Sequence, residues 1–312
     1  MSSVEHSIES ACLFGKQRLL DDFESALLDA EWLLCGVLNV DQTYLRTWPE
    51  RLVTADDMVK FTDHLDRRLK GEPIAYILGY QYFWGLCLKV SPAVLVPRAD
   101  TETLVEAVLK ICSSQNKLNC LDLGTGSGAI ALALASECAH WDILAVDISE
   151  SALLIAIENR DFYQLNNVTL LQSNWYGDID STMTFDVITS NPPYIAQNDP
   201  FLCENVKQHE PLLALLSDSG GLKDTELIIS GAKHRLNLNG YLFIEHGFQQ
   251  GKEVNLLFEK YGFINIEHAD DLSGHCRVTY AKIGNNDAAR QGEAKPRSSS
   301  RCETRRDEVE VE

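Results

Sequence analysis

Asn119-Cys120-Leu121-Asp122-Leu123-Gly124-Thr125-Gly126-Ser127-Gly128-Ala129-Ile130-Ala131-Leu132-Ala133-Leu134-Ala135 is the stretch that decides the fold. Its first five residues read as a short buried strand and its last six as an apolar helix. The glycines between let the backbone turn sharply and approach a ligand, while the helix start offers unpaired N–H groups. A second strand, Ile143-Leu144-Ala145-Val146, ends in Asp147, about 20 residues past the turn, where an acid can hold a ribose diol. Further out, strand-like and helix-like segments alternate from Leu118 to about Ile283. Val168-Thr169-Leu170-Leu171, Phe185-Asp186-Val187-Ile188-Thr189-Ser190, Tyr241-Leu242-Phe243-Ile244-Glu245-His246 and Phe263-Ile264-Asn265-Ile266 read as strands three to six, and Arg277-Val278-Thr279-Tyr280-Ala281 as a last, antiparallel one. Such alternation implies crossover units and a mostly parallel sheet, an α/β fold.

Strand four runs into Asn191-Pro192-Pro193-Tyr194. Two prolines lack N–H groups and fix φ, so the chain leaves the sheet there as a stiff platform. In open α/β sheets this edge is where ligands bind. The Asn191 side-chain oxygen and the Pro192 carbonyl are two acceptors suited to a planar –NH2 group. Taken singly, Asn-Pro is also an ordinary turn initiator, and Gly124-x-Gly126-x-x-Ala129 also fits a dinucleotide fingerprint. Two details favour S-adenosylmethionine. Asp122 stands where a carboxylate can meet that cofactor's amino-acid end, and a third glycine at Gly128 opens space that a pyrophosphate binder fills by close helix packing. Glycine turn, acid and platform follow strands one, two and four, all on one edge. Trp175, just after strand three, can wall an adenine ring or pack beneath the next loop. Arg98 can be a solvated loop charge or meet a carboxylate. Asp100 is suited to cap the helix through Leu104, Val105, Val108 and Leu109.

The chain has 312 residues, 45% hydrophobic and 23% charged, ordinary globular values that allow one large domain or two smaller ones. No run approaches the ~18 apolar residues of a membrane span, and Met1-Ser2-Ser3-Val4-Glu5-His6 has no signal-peptide character, so a cytoplasmic protein is expected. Nine scattered cysteines and eight histidines lack metal-ligand or disulfide-framework spacing; most cysteines are expected in the core, and no metal. A net charge of −19 argues against partners held by their phosphates. Residues 7–70 have helical periodicity, with Trp32 and Trp48 as expected core aromatics. Thr54-Ala55-Asp56-Asp57 resembles a capping box, and Gly71 ends its helix. The division expected is a helical domain over 1–72, a β-hairpin linker over 73–95, a catalytic domain over 96–283 and a disordered tail over 284–312.

Glu72-Pro73-Ile74-Ala75-Tyr76-Ile77-Leu78-Gly79, Phe83-Trp84-Gly85-Leu86, Val96-Pro97-Arg98-Ala99-Asp100-Thr101-Glu102, the glycine turn and Asn191-Pro192-Pro193-Tyr194 stand in this order. Over residues 5–283 this set closely resembles the protein-glutamine N5-methyltransferases that act on peptide chain release factors, the PrmC/HemK family. The resemblance implies a class I S-adenosylmethionine-dependent methyltransferase fold, a seven-stranded, mostly parallel sheet with an N-terminal helical bundle that recognises the release factor. It further implies that Gly124, Thr125, Gly126, Ser127, Gly128, Asp147, Trp175 and Asn191 bind the cofactor. Asn191, Pro192, Pro193 and Tyr194 would hold the glutamine of the substrate's Gly-Gly-Gln motif, with Asn191, Pro192 and Tyr194 acting in catalysis. The partner implied is a release factor, with no direct nucleic acid and no membrane, met by a monomer. Ala99 departs from the second proline usual in the family. Two rivals share the platform: a ribosomal-protein glutamine methyltransferase, whose loop usually lacks Asp-Thr-Glu, and an adenine N6 methyltransferase.

Overall fold

The computed structural model describes residues 6–20, 22–112, 117–199 and 202–284; apart from Gly284, the expected tail lies outside them. Seven strands form the central sheet: β1 (Asn119–Leu123), β2 (Asp142–Asp147), β3 (Val168–Gln172), β4 (Phe185–Ser190), β5 (Leu236–Glu245), β6 (Phe263–Asp270) and β7 (Cys276–Ile283). Their spatial order is β6-β7-β5-β4-β1-β2-β3. β1 pairs in parallel with β2 and β4, β2 with β3 and β4 with β5, whereas β7 is antiparallel to both β5 and β6. This is the seven-stranded, mostly parallel sheet expected.

The strand sequences explain the layering. Alternate residues point to opposite faces, so Cys120, Ile143, Ala145, Val187 and Phe243 enter one core with the apolar helix Ala129–Glu137. Leu121, Leu144, Val146, Ile188 and Leu242 enter the other, against helices Lys223–Ala232 and Gly251–Lys260. Strands buried on both faces read as continuous apolar runs, as parallel strands do. The strand order reverses beside β1, because β2 and β4 lie on its two sides, which opens a crevice at the carboxyl ends.

The N-terminal bundle comprises helices Ile8–Leu19, Ala26–Leu38, Gln42–Thr47 and Ala55–Leu69. Thr54 caps the last of these as expected, its hydroxyl accepting from the Asp57 N–H at 3.1 Å. The half-buried pair Arg68–Asp29 at 2.8 Å ties that helix to the second, and the Arg68 guanidinium lies 3.9 Å from the Phe23 ring centroid. Trp32 is only half-buried, tilted against Tyr82, and Trp48 is 43% exposed beneath the Arg51 guanidinium. Neither is the core aromatic expected, because Leu33, Leu34, Phe61 and Leu65 fill the bundle interior.

The connector opens with a short helix, Ile74–Leu78, before its hairpin of Tyr80–Phe83 and Leu86–Lys89. Ile77 and Leu78 pack into the bundle, whereas Ala75 and Tyr76 join Val90, Val94, Val96 and Ile155. The Tyr76 hydroxyl donates to the Val94 carbonyl at 2.5 Å. Trp84 and Gly85, at φ 50° and 73°, form the two-residue turn that a hairpin's twist favours.

Asp122, on the central strand, is fully buried and accepts from the Thr189 hydroxyl at 2.9 Å. Burial pushes its carboxyl up to about 6, against that hydrogen bond. A raised native value means that the folded state binds the proton more tightly, so the stability from this group is present at low pH and is lost as pH rises through about 6. Asp122→Asn removes that titration. Between about pH 5 and about pH 7.5 the variant should gain ~1–2 kcal/mol relative to the parent chain in urea unfolding; a pH-independent difference would contradict the assignment.

Candidate functional site

The glycine turn closes over the end of β2. The Gly124 and Thr125 N–H groups both donate to the Val146 carbonyl at 2.9 Å. Asp147 binds the turn in the same way, its Oδ2 accepting from the Gly126 N–H and its Oδ1 from the Ser149 N–H, each at 2.9 Å. Each carboxylate oxygen retains acceptor capacity for a ligand. Burial pushes the Asp147 carboxyl up, opposed by those N–H bonds. A Cβ at Gly126 would meet nothing within 4 Å, whereas one at Gly124 would lie 3.3 Å from the Trp175 ring. Gly128 behaves differently from the expectation that it opens space. Its φ is 86° and a Cβ there would sit 3.0 Å from Leu132 and 3.4 Å from Ala156, so it permits close helix packing and does not line the cavity.

Gly124, Thr125, Gly126, Ser127, Asp147 and Trp175 line one cavity with Arg98, Thr101, Asn191 and Pro193. Its lining joins backbone of the turn, a carboxylate and an aromatic ring around an apolar hollow, the make-up of a small-molecule pocket. A half-buried carboxylate with spare acceptor capacity, the start of the helix Ala129–Glu137, which favours a negatively charged group, and an aromatic wall fit a cofactor that carries a ribose, a carboxylate and an adenine. Trp175 is held at φ 50° with its carbonyl accepting from the Ser173 hydroxyl at 2.9 Å. Asp122, expected to reach the cofactor, lies beneath the turn and outside this lining. Among the described residues no group of three or more His, Cys, Asp or Glu is placed to hold a metal ion, and no helix is long and apolar enough to cross a membrane.

Beyond Asn191 lies a second cavity, bordered by Tyr194, Ile195, Leu202, Phe248 and Gln250. Asn191 and Arg98 border both cavities. The Asn191 Nδ2 donates to the Thr101 hydroxyl at 3.1 Å, which leaves Oδ1 as the acceptor. Pro192 is buried, and its carbonyl takes part in no backbone hydrogen bond among the described residues. The Tyr194 carbonyl accepts from Gln250 Nε2 at 3.0 Å, and burial raises its phenol beyond the usual tyrosine range.

Arg98 meets a carboxylate: it pairs with buried Glu210 at 2.5 Å, and Glu210 also accepts from the Val96 N–H at 3.3 Å. Asp100 does not cap the following helix. It sits in the 3₁₀ turn Ala99–Thr101 and pairs with Arg277 at 2.9 Å. Sequence reading passed over Thr101, Glu210 and Glu245. Glu245 carried a signal, since a carboxylate closing an otherwise apolar strand at the ligand edge has no packing reason to be there.

Residues 11–79 match the PrmC N-terminal domain and residues 99–208 the methyltransferase small domain. A release factor glutamine methyltransferase of Aliivibrio fischeri is 43% identical over 276 residues, spanning 88% of this chain and 94% of its own. One of Pseudomonas aeruginosa is 44% identical over 268 residues, spanning 86% and 96%. Among solved structures, the T. thermophilus 16S rRNA N2 G1207 methyltransferase in complex with AdoMet and guanosine superposes with a TM-score of 0.51 and 19% identity, covering 66% of this chain and 50% of that one. The hMettl16 catalytic domain in complex with the MAT2A 3′UTR hairpin 1 gives 0.54 and 15%, covering 76% and 85%. At those identities the two structures report the shared fold alone. With 43–44% identity sustained along nearly the whole length of its bacterial relatives, this chain belongs to the release factor glutamine methyltransferase family.

Proposed function

We propose that this protein transfers a methyl group from S-adenosylmethionine to the side-chain amide nitrogen (N5) of the glutamine in the Gly-Gly-Gln motif of peptide chain release factors. The observation that carries this reading is the position of Asn191, the head of the proline platform, on the border between the two cavities. S-adenosylmethionine, when bound, supplies a methyl group on a positively charged sulfur. Asp147 would accept from the ribose hydroxyls, Trp175 would wall the adenine, and Gly124, Thr125, Gly126 and Ser127 would bring backbone close to the cofactor, with Gly128 letting the helix behind them pack closely. A glutamine amide nitrogen is a weak nucleophile because its lone pair is delocalised into the carbonyl. Asn191 Oδ1 and the Pro192 carbonyl accept its two N–H bonds, while Pro193 and Tyr194 confine the side chain. Once the nitrogen carries the methyl group, one of its two protons would pass to solvent, so positioning and polarisation drive the reaction in place of a strong base. A side chain flanked by glycines suits entry through the second cavity, because the loop carrying it has no bulk of its own.

The bundle gives a large protein substrate a second surface, and the release factor is the partner favoured by a chain of net charge −19 over a nucleic acid. Mass spectrometry after incubation with S-adenosylmethionine should find one added methyl group on the Gly-Gly-Gln glutamine of a release factor. A methyl gain confined to ribosomal protein or to adenine in DNA would reject the assignment.

Asn191→Ala should lower turnover roughly 10²-fold, as loss of a preorganised polar contact does, with a smaller effect on cofactor affinity. Unchanged turnover in the folded variant would remove Asn191 from the mechanism. Asp147→Ala should weaken S-adenosylmethionine binding about tenfold or more in calorimetry, since charge-assisted hydrogen bonds are worth ~1.5–3 kcal/mol each. Undiminished affinity would place the ribose elsewhere.

A further inference from the structure

Glu245 ends β5, one residue beyond Ile244, which pairs across the sheet with Ser190, the residue before Asn191. It is 1% exposed, and its Oε2 has no hydrogen-bond partner. Thr101, itself buried, accepts from Asn191 Nδ2 at 3.1 Å, and hydrogen bonding from Thr101 and Asn191 holds the Glu245 carboxyl down against its burial. A buried carboxyl with an unused oxygen is costly unless it is protonated or put to use.

We propose that Glu245 is a positioning residue which fixes the carboxamide of Asn191 through the hydroxyl of Thr101. This rests on the methyl transfer proposed above. A hydroxyl has one proton and two lone pairs. When the Glu245 carboxylate accepts a hydrogen bond from the Thr101 hydroxyl, the Thr101 oxygen can only accept in turn, so Asn191 must present Nδ2 to it. Asn191 Oδ1 then faces the substrate as an acceptor. When Glu245 is protonated it can donate to Thr101, which frees the Thr101 proton. The Asn191 carboxamide can then turn over and offer an N–H where the substrate amide needs an oxygen. The chain of donors thus runs in the productive sense only while Glu245 is ionised.

The surroundings put that ionisation in the working range. Burial pushes the Glu245 carboxyl up to about 7, with Thr101, Arg277 and Asn191 opposing the rise and Asp100 adding to it. Arg277 reaches in from β7 and is itself shared between Asp100 and Asp271, each at 2.9 Å. Tyr194, from the platform, is a further titratable neighbour. His246, next along β5, is engaged with Thr279 at 2.8 Å.

The test is single-turnover methyl transfer from S-adenosylmethionine to a purified release factor, followed from about pH 5.5 to about pH 8.5. The parent chain should lose rate on the acid side, with a midpoint near the value for Glu245. Glu245→Gln, whose amide can either donate or accept, should cost about tenfold in rate at pH 8 and flatten that acid limb, with S-adenosylmethionine affinity within about twofold of the parent. Thr101→Val should do the same, and Thr101→Ser should recover the acid limb. An active Glu245→Gln enzyme that keeps the parent's rate and pH profile overturns the positioning role, as does a loss found in cofactor affinity alone. A parent chain that transfers no methyl group to the release factor overturns the proposed function itself, and this inference with it.

Discussion

The pairing of β1 in parallel with a strand on each side is the constraint on which the site depends. It forces the chain to cross over twice in opposite directions, which leaves a crevice at the carboxyl ends. It also brings the turn after β1 beside the segment after β4, although 67 residues separate Leu123 from Ser190, whose hydroxyl donates to the Leu123 carbonyl at 2.8 Å. The Gly124 and Thr125 N–H groups extend the connection to β2. A shift of one residue in the register of β1 would turn Leu121 and Leu123 towards the opposite core and move the glycine turn away from Asp147.

The hairpin is fastened to the sheet domain by side chains that satisfy backbone groups. Asn159 receives the Lys89 N–H at 2.7 Å, and its own amide donates to the carbonyls of Lys89 and Ser127 at 3.0 and 2.9 Å. The Tyr163 hydroxyl accepts from the Cys87 N–H at 2.6 Å. Glu102 Oε1 accepts the Trp84 N–H at 2.7 Å. The hairpin that follows the bundle and the turn proposed for the cofactor are therefore braced from one helix, Glu150–Tyr163.

Legibility in the sequence followed the range of the interactions. Strands, their order along the chain, the glycine turn, Asp147 and the proline platform are written in local pattern, so they could be read directly. The expectation for Trp48 failed because an aromatic at helical spacing can lie on either face, and only packing decides which. Gly128 was assigned the wrong reason for the same cause, since its neighbour Ala156 is distant in sequence. The Arg98–Glu210 pair and the Asp100–Arg277 pair join residues more than a hundred positions apart, and no local pattern signals either. Glu245 was visible as an oddity, but its meaning needed the spatial proximity of Thr101 and Asn191.

Asp100, Thr101 and Glu102 each face a different partner: Arg277 on β7, Asn191 on the platform and the Trp84 N–H at the hairpin tip. Three consecutive side chains diverge in this way because the tight 3₁₀ turn Ala99–Thr101 splays them about its axis. The length of this loop is therefore under stronger constraint than its composition. Replacing one residue disturbs a single contact, whereas inserting or deleting one would rotate all three side chains out of reach of β7, platform and hairpin together.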